Sequence, residues 1–137
     1  MVKYLLSLIC PLFLLLACSL DKHTDTCNQF KNGYFLYRYK SKDAAELLII
    51  RKDSIQFEIN EQTNDTTELS IVWTGNCMYD LRYKSSTVKG FSDSIQDLRK
   101  KTVIHNEIIS HTDSYYIFKS LRVNSDYLLM DTLWVEK

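Results

Sequence analysis

The chain has 137 residues, 45% of them hydrophobic, and its 17 basic side chains cancel its 17 acidic ones. That length carries one domain with a modest core. A balanced charge gives no basic stripe of the kind nucleic-acid binding requires, and only three glycines leave no glycine-rich phosphate loop.

The first element is an apolar run from Tyr4 to Ala17, broken only by Ser7. As a helix it would cover about 21 Å, short of the ~30 Å hydrocarbon core of a bilayer. The lone Lys3 before it supplies the positive start of a secretory signal. Leu15-Leu16-Ala17-Cys18 ends the run and resembles the bacterial lipobox. The resemblance implies cleavage after Ala17, a thioether diacylglycerol on Cys18, and a mature chain that begins at that cysteine. Residues 1–17 are therefore expected to be a signal peptide, and Cys18 the membrane attachment. Two or three acyl chains, at about 0.8 kcal/mol per buried methylene, hold such a protein durably. An ordinary signal peptide or a tight anchor helix is the alternative. The expected location is the cell envelope, with the outer membrane preferred to the inner.

Removal of 1–17 leaves 120 residues, with 16 basic and 17 acidic side chains. It also discards Cys10, and lipidation uses Cys18, so Cys27 and Cys77 remain as one pair in an oxidising compartment. A disulfide between them would close a loop of about 50 residues and contribute roughly 4 kcal/mol in the chain-entropy model. Two buried thiols are the competing reading. Metal ligation is disfavoured because neither cysteine has a second cysteine or histidine at ligand spacing.

Residues 18–26 are polar and aperiodic after the cysteine and read as a tether. Asp21, His23 and Asp25 alternate within it, and a solvated linker is preferred to a metal clip. The single domain is expected over 27–137. Its first strand, 34–39, carries Phe35, Tyr37 and Tyr39 on one face. The run 45–51 is continuously apolar around Leu47, Leu48, Ile49 and Ile50. Lys52-Asp53-Ser54 turns the chain into 55–60, where alternation predicts Ile55, Phe57 and Ile59 inward and Gln56, Glu58 and Asn60 outward. Leu69, Ile71 and Trp73 repeat the pattern. After the Gly75-Asn76 turn, Cys77, Tyr79, Leu81 and Tyr83 share a face.

One segment leaves this rhythm. Phe91, Ile95 and Leu98 fall at helical spacing, Asp93 and Gln96 suit a capping box, and Arg99, Lys100 and Lys101 suit a helix C-terminus. A short helix near 92–101 is expected across one end of the sheet. Strands at 103–110, 115–123 and 127–135 complete a set of about eight. So many antiparallel strands must close or pair in layers to hide their edges. The expected fold is mainly β: an up-and-down meander forming a small lipocalin-like barrel, with an open barrel or sandwich as the second choice. About eight strands enclose packed side chains or one small ligand.

The stretches Cys27-Asn28-Gln29-Phe30-Lys31-Asn32-Gly33-Tyr34-Phe35 and Ile50-Arg51-Lys52-Asp53-Ser54-Ile55-Gln56, with Trp73 followed by Cys77, Tyr79 and Leu81, resemble an uncharacterised family of small lipoproteins from Bacteroidetes. Members are sometimes labelled as a DNA topoisomerase IV subunit, which does not suit a short secreted chain. The likeness covers about 27–84 and implies the lipid anchor and a Cys27–Cys77 disulfide; it carries no catalytic residues. Gly33 would take a positive φ at the entry to the first strand.

Catalytic patterns are absent. The three histidines, His23, His105 and His111, lie at no metal-binding or nucleophilic spacing. Glu58 and Asp80 are expected on solvent faces rather than as an acid–base pair. Nine tyrosines, with Trp73 and Trp134, suit either a pocket for an amphipathic molecule or plain packing in half-buried strands, and packing is preferred. Four tripeptides, Asp53-Ser54-Ile55, Asp65-Thr66-Thr67, Asp93-Ser94-Ile95 and Asp131-Thr132-Leu133, are similar to the O-glycosylation motif of secreted Bacteroidetes proteins, and Thr66, expected in a loop, is the best candidate. No enzyme activity, cofactor or metal is expected. The expected function is a lipid-anchored protein binding a small apolar or amphipathic ligand, with a structural or protein-docking role in the envelope as the alternative.

Overall fold

A computed structural model describes residues 26–40 and 45–137. The expected signal peptide, Cys18 and nearly all of the expected tether lie outside the described residues. A one-turn 3-10 helix, Cys27–Phe30, precedes eight strands: β1 (Gly33–Tyr37), β2 (Leu47–Lys52), β3 (Ile55–Asn60), β4 (Thr66–Trp73), β5 (Met78–Ser86), β6 (Val103–His111), β7 (Tyr115–Arg122) and β8 (Leu128–Glu136). One helix, α1 (Asp93–Lys101), joins β5 to β6. Each strand pairs antiparallel with the next, and β1 pairs with β8 through Phe35 opposite Val135 and Tyr37 opposite Leu133. The sheet is therefore a closed up-and-down barrel. Closure leaves no unpaired strand edge, and irregularities at Glu68/Leu69 and Ile108/Ser110 supply local bends.

The two ends of the barrel differ. One end carries the β2–β3, β4–β5 and β6–β7 turns and is closed by the 3-10 helix. There Phe30 is buried, its ring 4.8 Å from Tyr116, 5.2 Å from His111 and 6.4 Å from Phe35. The Cys27–Cys77 disulfide, with Cα atoms 5.1 Å apart, fastens the 3-10 helix to the approach of β5. Gly33 takes φ +134° where the chain leaves this plug for β1, a region that glycine enters at least cost. At the first residue of the β2–β3 turn, Asp53 has φ 56°, and its N–H donates to Asn32 Oδ1 at 2.8 Å. The other end carries the longer connections, α1 among them, and forms the mouth.

Registers define the inner face. Phe35, Ile49, Ile71, Tyr79, Tyr116 and Leu133 are buried together in one core. Leu69, Ile71, Tyr79 and Leu81 face inward as their alternation predicts. Strand β3 is the exception: Gln56 and Glu58 point into the barrel, whereas Ile55, Phe57 and Ile59 lie outside. The outward side chains join an apolar row on the exterior. Paired rungs run Ile59–Leu48, Leu48–Leu36, Leu36–Trp134 and Trp134–Tyr115. Alternation separates two faces without saying which is inside, and here the apolar face of β3 continues a row outside the barrel.

Helix α1 also departs from expectation. Its N-cap is Ser92, whose hydroxyl accepts from the Ile95 N–H at 3.4 Å, rather than a capping box on Asp93. The side chains expected to pack are exposed, Ile95 by 45% and Leu98 by 64%. Arg99 faces the barrel instead, its guanidinium 4.3 Å from the Tyr83 ring and 4.7 Å from that of Phe91. Thr66 is not in a loop; it begins β4, with its N–H bonded to Thr87 Oγ1.

Candidate functional site

Side chains fill the barrel near the plug, but the half toward the mouth is open. A cavity of about 420 Å³ lies there. Its walls are apolar where β2, β5, β6, β7 and β8 contribute Leu47, Ile49, Leu81, Ile104, Phe118 and Leu129. Polar groups enter from Gln56, Glu58, Asn106 and Ser120, and Tyr37, Tyr39, Tyr127 and Arg122 stand toward the mouth. The tyrosines thus divide: Tyr79 and Tyr116 pack in the core, and others line the opening.

Arg51 forms the inner end. The alternation that points Leu47 and Ile49 inward carries Arg51 to the same face, where it is 2% exposed. Its Nε donates to Gln56 Oε1 at 2.7 Å, Nη1 to the Phe30 carbonyl at 3.1 Å and Nη2 to the Tyr79 hydroxyl at 2.8 Å. The guanidinium stays charged, and four rings surround it: Tyr79 at 4.5 Å, Phe35 at 5.2 Å, Tyr116 at 5.7 Å and Trp73 at 5.9 Å. Such contacts stabilise a desolvated cation. The Phe30 bond also ties the plug to the cavity floor.

Gln56 relays this contact outward, since its Nε2 donates to Glu58 Oε1 at 2.9 Å. Burial pushes the Glu58 carboxyl above its usual range, outweighing the opposing effects of the Gln56 bond and of Arg51 and Arg99. Burial likewise raises Tyr37, whose hydroxyl donates to Asp131 at 2.9 Å and whose ionisation the Asp131 charge opposes. The interior placement of Glu58 corrects the expected solvent position. Asp80 does lie on the outer face, paired with His105 Nδ1, so the two carboxyls belong to opposite sides of the wall.

A raised carboxyl has a definite sign in stability. The neutral Glu58 fits the fold better than the ionised one, so its contribution is complete below the usual carboxyl range and is lost as pH rises through the raised value. Glu58→Gln retains an acceptor for Gln56 and removes the charge. The variant should melt above the wild type at about pH 8, with the gap closing toward about pH 4; a gap independent of pH contradicts the assignment.

The two cysteines singled out in sequence are joined, away from the cavity, beneath its floor. The residues that give the cavity its polarity, Arg51, Gln56 and Glu58, were not singled out as site residues. The available signal was the inward phase of Leu47 and Ile49, which extends to Arg51. Among the described residues no cluster of histidine, cysteine or carboxylate side chains is arranged to hold a metal, and no helix is long and apolar enough to cross a membrane. The chain matches no protein-family model, and no curated protein or solved structure is significantly similar to it.

Proposed function

We propose that this is a lipid-anchored extracytoplasmic protein that holds one small amphipathic molecule inside its barrel without transforming it. One observation carries the reading: the interior above Arg51 is open, not filled by side chains. Its volume of about 420 Å³ lies in the ~300–1,000 Å³ range of small-molecule sites. Apolar walls with a few convergent polar groups are the usual composition of such sites. The lipobox-like Leu15-Leu16-Ala17-Cys18 and the likeness to small lipoproteins support the anchor. The described chain enters at the plugged end, so the plug is the part of the domain that follows the tether.

Mass spectrometry under non-denaturing conditions, on protein extracted from its own host, tests the reading. The expected species starts at Cys18, carries acyl chains and releases one small molecule on activation. A chain retaining Met1 contradicts the anchor, and an empty barrel contradicts the ligand. The apolar row from Ile59 to Tyr115 on the outside favours a second reading, docking of an envelope protein. Of these only Trp134 is freely exposed, with Leu36 buried between its neighbours, and apolar surface on an outer face can mark an interaction site. Under that reading, the released mass is a protein.

A further inference from the structure

We propose that the ligand carries a carboxylate, which enters first and is received by the Arg51 guanidinium at the inner end of the cavity, while its apolar body lies along Leu47, Ile49 and Leu81. The inference rests on the cavity being a binding site and names the chemistry it selects.

Arg51 is a buried charge whose hydrogen-bond partners are all neutral: an amide oxygen, a backbone carbonyl and a phenol. None of the ion pairs among the described residues includes it. A guanidinium taken out of water normally has an anion beside it. The three bonds engage one N–H on each nitrogen. Tyr116, whose ring lies 5.7 Å from the guanidinium, is a further neutral hydrogen-bond partner, so the five N–H donors still outnumber the acceptors the protein supplies, and a carboxylate takes a strong charge-assisted bond from such a donor. The cavity's own carboxyl does not fill this role, because Gln56 stands between, accepting from Arg51 and donating to Glu58. Arg122 adds a second guanidinium to the lining against the single carboxyl of Glu58, so the lining as a whole favours an anion. At the inner end Arg51 stands alone, Arg122 lying toward the mouth, and its one charge matches that of a carboxylate; a phosphate monoester brings close to two.

Calorimetric titration of the full-length protein in nanodiscs with octanoate, octanol and octyl phosphate at neutral pH tests the assignment, with empty nanodiscs as background. Octanoate should bind about tenfold to a hundredfold more tightly than octanol, the increment of a desolvated charge-assisted hydrogen bond, and more tightly than octyl phosphate. Arg51→Met, its fold checked by near-ultraviolet circular dichroism, should bind octanoate and octanol alike. The comparison of ligands on the unaltered protein stands whether or not the variant folds. Equal binding of octanoate and octanol overturns the headgroup assignment and leaves the cavity as a site for neutral molecules. Tighter binding of octyl phosphate overturns the carboxylate. If none of the three binds, the headgroup and the ligand-binding reading both fall.

Discussion

Replacing Cys27 and Cys77 together by alanine should lower the free energy of unfolding by about 4 kcal/mol. The bridge spans 50 residues of sequence, and closing a loop of that length in the unfolded chain costs about this much in the chain-entropy model. The native state adds to the effect. Cys27 is fully buried, and it begins the 3-10 helix whose Phe30 seals the barrel. Without the bridge, that plug is held by packing and by the Arg51 bond to the Phe30 carbonyl at 3.1 Å. Urea denaturation of the variant and the wild type measures the difference. Amide exchange should quicken first in the β4–β5 connection and the 3-10 helix, and later in α1. A loss under about 1 kcal/mol would mean that the bridge constrains little that packing does not already hold.

Truncating Phe30 to alanine should cost about 3–5 kcal/mol, the range for a fully buried phenylalanine. Its ring is 1% exposed and meets Phe35, Tyr116 and His111 at the floor. The gap left there is walled by large rings that cannot collapse into it without disturbing Arg51, which stacks on two of them. Phe30 and Cys27 belong to one short element, so the two lesions should not add. Once the disulfide is absent the plug is already loosened, and the Phe30 truncation should cost less than it does in the bridged protein. A double-mutant cycle gives the coupling. Strict additivity would show that ring and bridge act independently.

How much of this was readable follows from what each residue pattern encodes. Strands β4 and β5 are legible because their inner side chains are apolar and most of their outer neighbours polar, Val72 and Met78 excepted. Strand β3 alternates just as cleanly, yet its phase is the reverse of the expected one. Ile55, Phe57 and Ile59 lie outside because Gln56 is needed inside beside Arg51, and because Leu48 and Ile50 across the pair also face outward. A pattern of period two carries the difference between faces but not their assignment. The position of α1 was legible within two residues. Its cap moved to Ser92 because Ser92, Asp93 and Ser94 all suit that role. Its packing failed to match because one cation over Tyr83, not an apolar stripe, meets the barrel. The disulfide follows from the cysteine count and the expected compartment. The cavity does not, because it depends on a plug that precedes the first strand and on β1 meeting β8 at the closing seam. Arg51 sat at the end of an apolar run and read as its boundary.

An open interior above the Arg51 layer is what the ligand-binding reading stands on, and a neutral apolar fluorophore tests it most directly. Full-length protein should be titrated with phenylnaphthylamine beside an Ile104→Trp variant, in which a larger ring occupies the cavity wall. Both proteins bring the same lipid background, so their difference reports the cavity alone. Saturable binding of one fluorophore per chain, lost in the filled variant, is the predicted result. Identical, unsaturable uptake by both proteins would mean that the barrel takes in nothing.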